Sequence, residues 1–370
     1  MRKRRYACLV VLFFVLLWAG CEQQRESIPA ANLENHPIYK RYTFSNDEKV
    51  IELGASLPSS TVTHLIEVMK RDQILKQELA QVGYTVKFYF FQKGGDVMYF
   101  IKNDSLKGAF VGDMPTLMMA SSGKVTIISL FSKVGVALVS RDVYRVRDLK
   151  NMRVAYPYGS NAHYYLLKLL KENGLSEADI IQVQMDNREM LDAIRQKRID
   201  AFTTFEPTAM IYTKMDPTLH IINRSLSSYN FFSVRKEYAS KNPRAVRAIL
   251  AAQFRAMFWL RESDRNLNRA SRWVAEETMK IVSLPMDKYI ANLNALCDEN
   301  LLGNITDYFD VVSRSVLADD GDIRKEFDFL KTKGIIPQQQ EWNDVKRNFD
   351  TLAVPDVLKN MRHTKSRIRP

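Results

Sequence analysis

The chain has 370 residues, 46% of them hydrophobic and 26% charged, which supplies enough apolar matter for a buried core and excludes a disordered polar tail as its main character. A net charge of +12 includes the run Arg2 to Arg5, beyond which no Lys/Arg block occurs until residues 363–370; a basic surface of this kind suits nucleic acid, an anionic membrane or anionic ligands. Three cysteines leave little room for a disulfide framework.

In residues 1–20, Arg2, Lys3, Arg4 and Arg5 precede an apolar run from Cys8 to Trp18, followed by Ala19, Gly20 and Cys21. This is the pattern of a secretory leader, shorter than the roughly 20 apolar residues a spanning helix needs. Small residues before a cysteine resemble the lipobox of bacterial lipoproteins, which implies cleavage before Cys21 and lipidation of its thiol. Only Cys297 would then remain to fold with the mature chain. The expected product is an exported, membrane-anchored lipoprotein facing the periplasm or cell exterior, with no role for nucleic acid. Residues 21–45 are polar and aperiodic, as a tether would be.

From about residue 50 onward, apolar runs alternate with helical patterns. The first series predicts a strand at 49–55, a helix at 60–81 and a strand at 84–91. A helix at 95–102, a strand at 108–111, a helix from Pro115 and a strand at 125–131 follow. The second predicts a strand at 152–156, a helix at 161–172, a strand at 180–185 and a helix at 187–197, then a strand at 199–204, a helix from Pro207 and a strand at 219–223. Such alternation argues for α/β architecture with open, mostly parallel sheets and helices on both faces. Ala162, Tyr165, Leu166, Leu169 and Leu170 keep the spacing of a core-facing helix stripe, and Asn173-Gly174 ends it. Asp186 and Glu189 have capping-box spacing. After residue 235 the pattern turns helical: from Asn242-Pro243 to Trp259, then 264–279, 285–296 and 323–330.

In open parallel sheets ligands lie beyond the carboxyl ends of the strands, where helix N-termini point. Five loops qualify: Ser56 to Thr61, Gln92 to Asp96, Gly112 to Pro115, Tyr158 to His163, and Phe205 to Thr208. Each helix start offers unpaired N–H groups and partial positive charge. One such terminus contributes about 0.3–1 kcal/mol, up to ~2 when partly buried, against about 8 kcal/mol for micromolar binding. Several loops must therefore converge. The echo between AFVGDMPTLM at 109–118 and AFTTFEPTAM at 201–210 supports two duplicated halves facing one another.

The segments GDMPT at 112–116, RVAYPYGSNAHYYLLKLLKENGLS at 153–176, IDAFTTFEPTA at 199–209, KNPRAVRAILAA at 241–252 and FLKTKGIIP at 329–337 together resemble solute-binding proteins of the nitrate, sulfonate and taurine type of ABC importers. The resemblance implies a two-lobed periplasmic-binding-protein fold. Lobe one would take residues 46–136 and 225–345, lobe two residues 137–224, with a C-terminal tail at 346–370. Hinges would lie near Val136 to Arg141 and Arg224 to Phe232. By position, ligand-binding residues fall on Ser59, Ser60, Gly94, Gly95, Asp113, Ser160, Asn161, Ala162 and Glu206. Asp113 and Glu206 are acids beside an anion site, so they either receive a ligand amine or orient donors. The implied partners are a small anionic or zwitterionic solute and a membrane permease, with the chain itself monomeric.

Catalytic alternatives find little support. No HExxH, Walker loop or Gly-x-Ser-x-Gly elbow is present, so no catalytic residue, metal ligand or cofactor is expected. Glu67 and Asp72 are expected on solvated faces, and His163 is expected to pack against its own lobe. A pyrimidine-precursor synthase on the same fold would use a cysteine-rich iron loop that this chain lacks. A membrane-tethered ligand sensor stays open as a third reading.

Overall fold

The computed structural model describes residues 32–56, 60–281 and 316–361. The leader, Cys8, Cys21, Cys297 and the helix expected at 285–296 lie outside them. The chain divides into two units, residues 1–41 and 42–370. In the first, two short 3-10 turns, Leu33–Asn35 and Tyr39–Arg41, are joined through His36, whose ring stacks on Tyr39 with centroids 4.2 Å apart.

In the second unit the elements run β1 (Val50–Ser56), α1 (Ser60–Met69), α2 (Gln73–Gln81), β2 (Thr85–Phe91), α3 (Gly94–Lys102), β3 (Gly108–Gly112), α4 (Asp113–Ser121) and β4 (Val125–Ser140). They continue as β5 (Arg153–Tyr156), α5 (Asn161–Glu172), β6 (Ile181–Gln184), α6 (Asn187–Arg195), β7 (Ala201–Phe205), α7 (Thr208–Met215) and β8 (His220–Arg235). Helices α8 (Lys236–Lys241), α9 (Pro243–Glu262) and α10 (Asp264–Ile281) follow, and α11 (Asp322–Thr332), α12 (Trp342–Lys346) and α13 (Ala353–Met361) close the described chain.

The expected helix at 60–81 is two helices. Asp72 interrupts it by adopting extended backbone and accepting the N–H groups of Ile74 at 2.9 Å and Leu75 at 3.2 Å, which starts α2 afresh. Asp72 is fully buried, and its other oxygen holds Arg255 of α9 at 2.7 Å. Glu67 is buried too, paired with Lys70 at 2.6 Å and Arg71 at 2.7 Å. Both acids therefore depart from the solvated placement expected of them: Glu67 is held by Lys70 and Arg71 three and four residues on, and Asp72 by Arg255, which arrives from α9.

The strands form one eight-stranded sheet in the order β2-β1-β3-β8-β4-β7-β5-β6. The two outer wings, β2-β1-β3 and β7-β5-β6, are parallel as expected, while β3/β8, β8/β4 and β4/β7 are antiparallel. Two separate sheets are not formed because β4 and β8, each 16 residues long, pair along nearly their whole length and belong to both wings. Sequence patterning shows only their apolar ends. Ser132, Lys133 and Gly135 interrupt the run in β4, yet Ser132 keeps the ladder by accepting a hydrogen bond from the Asn230 carboxamide of β8 at 2.9 Å.

Strand alternation then supplies two cores. Val136 and Leu138 of β4 face Leu149, Val154, Tyr156, Leu166 and Leu170, whereas Ala137 and Val139 face Met190, Ile194, Phe202 and Ile211. Helices thus cover both faces of the β7-β5-β6 wing. Full burial of each large apolar side chain is worth about 1.5–3 kcal/mol. Residues 346–361, expected within a tail, are folded. Asn348 O accepts from Ile127 N at 2.8 Å and Ile127 O accepts from Asp350 N at 2.8 Å, extending the sheet by one bridge.

Candidate functional site

Helix α5 begins where the sequence placed it. Ser160 has extended backbone, accepts the His163 N–H at 3.2 Å through Oγ, and donates from the same hydroxyl to Pro157 O at 2.6 Å. Gly159 before it has φ +69, and a Cβ there would come within 2.6 Å of Ile335 Cδ1. Glycine is favoured by the left-handed backbone, and its lack of a Cβ leaves the Ile335 side chain its place against the loop. The Ala162 methyl lies in the apolar core under α5, so only its backbone N–H, ahead of the first helical bonds, is available to a ligand. His163 is buried against Tyr156, with ring centroids 4.2 Å apart, and accepts the Gly159 N–H at Nδ1. Burial pushes its imidazole down to about 4, so the ring is neutral.

Asn161 is the junction of the site. Its carboxamide Nδ2 lies 2.6 Å from Glu326 Oε1 on α11, 3.2 Å from Asp113 Oδ2 at the start of α4, and 3.3 Å from Ser227 O on β8. Asp113 also accepts from Ser228 Oγ at 2.8 Å, Tyr229 N at 2.9 Å and Met114 N at 2.8 Å. Asn161, Asp113 and Glu326 are each no more than 2% exposed. Burial pushes the Asp113 carboxyl up to about 6 against the pull of its donors. Burial, reinforced by Asp113 itself, raises Glu326 well above the ordinary glutamate range. The backbone and hydroxyl donors gather on Asp113, which favours its charged form, while Asp113 in turn strengthens the hold of Glu326 on a proton.

The other helix starts are drawn to the same place. A Cβ on Gly94, the first residue of α3, would come within 2.4 Å of the Pro115 ring, so the starts of α3 and α4 touch. A Cβ on Gly95 would meet nothing within 4 Å, which leaves open space before α3. Lys93 Nζ reaches Asp186 Oδ2 at 3.4 Å, linking the start of α3 to the start of α6. Asp186 makes no side-chain cap and the capping box expected with Glu189 does not form, because its carboxylate turns to Lys93 instead. Thus α3 and α4 of one wing face α5 and α6 of the other.

One expected acid stands apart from this cluster's hydrogen bonds. Glu206 is buried beside β4, accepting from Arg224 Nε at 3.3 Å and from Met210 N at 3.2 Å, where it serves the start of α7. Its peptide bond to Pro207 is cis. Ser59 lies outside the described residues, and of Ser60 only its place at the head of α1 is described.

Glu326, Ser227, Ser228, Tyr229 and Lys93 were missed by sequence reasoning. Glu326 alone carried a signal: Ile323, Glu326, Phe327 and Leu330 share the buried stripe of α11, so an acid occupies a core-facing position of an amphipathic helix. Among the described residues no group of three or more His, Cys, Asp or Glu side chains is placed to hold a metal ion, and no helix is long and apolar enough to cross a membrane.

An open sheet with parallel wings and helix starts facing across its centre is the architecture of periplasmic binding proteins, and solved structures of that fold superimpose on the chain. The alkanesulfonate-binding protein SsuA from Xanthomonas axonopodis pv. citri, bound to MOPS, matches with a TM-score of 0.60 at 17% identity, covering 83% of this chain and 99% of that one. The nitrate-binding protein NrtA from Synechocystis PCC 6803 matches with a TM-score of 0.63 at 12% identity, covering 85% and 90%. Residues 125–265 match the family described as NMT1/THI5 like. The taurine-binding periplasmic protein of Escherichia coli (strain K12) is 23% identical over 206 residues, 51% of this chain and 64% of that protein. The similarity therefore spans less than two thirds of that relative's length. The resemblance to solute-binding proteins of ABC importers is borne out at this level.

Proposed function

We propose that the chain is the solute-binding component of an ABC importer, exported and held at the membrane by lipid on Cys21, and that it carries a small sulfonate-, nitrate- or taurine-like solute to a permease. The observation that carries this reading is the meeting of Asn161, at the head of α5, with Asp113, at the head of α4. Two helix starts from opposite wings converge on one buried polar cluster. In this reading residues 46–136 with 225–345 and residues 137–224 act as two lobes. Ser59, Ser60, Gly94, Gly95, Asp113, Ser160, Asn161, Ala162 and Glu206 line or shape the cleft between them. The chain works as a monomer and without catalysis or cofactor, since hydrogen-bond donors and acceptors are what the cluster supplies.

A thermal-shift screen of the mature chain against taurine, alkanesulfonates, nitrate, bicarbonate and pyrimidines tests this directly. A ligand that binds only the folded state stabilises it by about 2.7 kcal/mol at a hundredfold excess over Kd. A flat response to all five classes would sink the reading, and turnover with pyridoxal phosphate and iron would replace it with an enzyme. Globomycin-sensitive processing together with labelling by a radioactive fatty acid checks the lipid anchor, and Cys21→Ser should abolish both.

A further inference from the structure

Helix α9 carries Arg244, Arg247, Ala248, Ala251 and Arg255 at helical spacing, so one stripe of it presents three guanidiniums. The hydrogen bond from Tyr84 OH to Asn242 Oδ1, 2.6 Å long, sets the start of α9 beside the amino end of β2. That is the end of the sheet opposite the helix starts gathered around Asn161. Against the stripe, α2 and α13 leave an open recess of about 320 Å³, walled by Glu78 and Val82 on one side and by Asp356 and Val357 on the other. Its size falls at the lower end of the range of small-molecule sites.

Arg255 forms the floor. Its side chain is 2% exposed and its Nε is held by Asp72 Oδ2 at 2.7 Å, yet its Nη2 is buried without a hydrogen-bond partner. Facing it, Glu78 Oε2 stands 3.6 Å away, beyond hydrogen-bond reach, and is itself buried without one. Buried donors and acceptors of folded proteins are nearly always satisfied, so a guanidinium and a carboxylate that face each other without bonding are a misfit. Burial also raises the Glu78 carboxyl above its ordinary value, against the pull of Arg255, so its charge is poorly held there.

We infer that this recess is a second ligand site, that it takes a phosphate monoester, and that Glu78 keeps the place one phosphate oxygen occupies. Guanidinium forks match phosphate oxygens in geometry as well as charge, and a tetrahedral phosphate offers one oxygen to Arg255 Nη2 and others to Arg244 and Arg247. A dianion draws three guanidiniums more strongly than the single charge of the carboxylate it displaces. Glu78, with 42% of its side chain exposed on the last turn of α2, swings toward solvent to admit it. Arg247 leaves Asp356, 3.2 Å away, at little cost, because that pair is 62% and 44% exposed. Val82, Ala248 and Ala251 give the carbon skeleton of the ester an apolar wall.

Calorimetric titration of the mature chain with glycerol phosphate and with a short-chain phosphatidic acid, glycerol serving as the uncharged control, tests the site. Both phosphates should bind and glycerol should not. Tighter binding of glycerol phosphate identifies a soluble ester as the source of the phosphate, and tighter binding of the phosphatidic acid identifies a lipid headgroup. Arg244→Ala combined with Arg247→Ala should weaken both by at least about tenfold, as expected for lost charge-assisted contacts. Glu78→Ala should tighten both by about tenfold, which the loss of a structural ion pair would not do. Arg255 is left in place because Asp72 depends on it, and the three substituted side chains are exposed enough for the variants to fold. Asn161→Ala, at the other end of the sheet, should leave phosphate affinity as it is. Absence of phosphate binding, full affinity after loss of both exposed arginines, or unchanged or weaker binding in Glu78→Ala overturns the inference, and all three leave the solute-binding reading untouched. Loss of phosphate binding in Asn161→Ala also overturns it, by moving the phosphate to the cleft.

Discussion

Lys333 Nζ lies 2.7 Å from both carboxylate oxygens of Glu177, tying the end of α11 to the turn that follows α5. Beside it Tyr158 OH donates to Lys333 O at 3.2 Å. The segment that presents Glu326 to Asn161 is therefore anchored to the same wing at a second point.

That anchor is a partly buried ion pair, with side chains 18% and 38% exposed, so its energetic weight is modest. Lys333→Ala should lower unfolding free energy by about 1 kcal/mol or less, with the difference shrinking at high salt. Urea denaturation at low and high ionic strength measures both. A large, salt-independent loss would mean that Lys333 acts through packing.

Ser160 and Asn161 should separate into two roles. Ser160→Ala removes a helix cap and should cost about 1 kcal/mol of stability. Asn161→Ala strips Glu326 and Asp113 of a buried donor and should cost about 1–3 kcal/mol as well as weaken solute binding. The bonds from Asn161 to Glu326 and Asp113 give it the larger cost of the two. Melting temperatures of the empty variants beside their affinities decide it.

The pH dependence has a definite sign. Asp113 rises from 3.8 to about 6 on folding and Glu326 rises well above its ordinary value, so the folded state binds these protons more tightly than the unfolded chain. Their contribution is complete below the unfolded values and is lost as pH rises through the folded ones, starting for Asp113 between 3.8 and about 6. Asp148, Asp179, Asp200 and Asp216 are lowered by their partners and act in the opposite sense at lower pH. Glu326→Gln should therefore gain stability relative to the native chain as pH rises from 5 toward 8, in denaturation series run at each pH. A parallel pair of curves would show that Glu326 titrates normally.

At the back of the first wing, Arg255 and Asp72 form an ion pair with side chains 2% and 0% exposed. Asp72→Ala should cost about 3–5 kcal/mol, because it leaves a guanidinium buried and also deletes the cap of α2. Asp72→Asn preserves the cap geometry and should cost less. Equal losses for the two variants would assign the whole effect to the charge.

Much of this was legible in the sequence where one element satisfies itself. Helix α5 matches its expected bounds because its stripe, its Ser160 cap and its Asn173-Gly174 stop are all encoded within a dozen neighbouring residues. Helix α4 begins at Asp113, two residues before the expected Pro115, and Asp113 and Asn161 are singled out by the resemblance to solute-binding proteins. What stayed hidden depends on partners remote in the chain. Asp186 has a capping residue's spacing but spends its carboxylate on Lys93, and Asp72 looks like surface charge until Arg255 arrives from α9. The middle of β4 reads as a loop because Ser132 and Lys133 break its apolar run, although Asn230 restores it from β8. Glu326 lies 165 positions from Asn161, and no local pattern links them.

The pairing of β4 with β8 shifts register at four places, between Ile127 and Ser129, Leu130 and Ser132, Val134 and Gly135, and Leu138 and Val139. A ladder broken by such bulges coils and bends more readily than it slides. Because β8 pairs with β3 of one wing and β4 pairs with β7 of the other, the bends of this one ribbon set the angle at which the two parallel wings meet in the sheet.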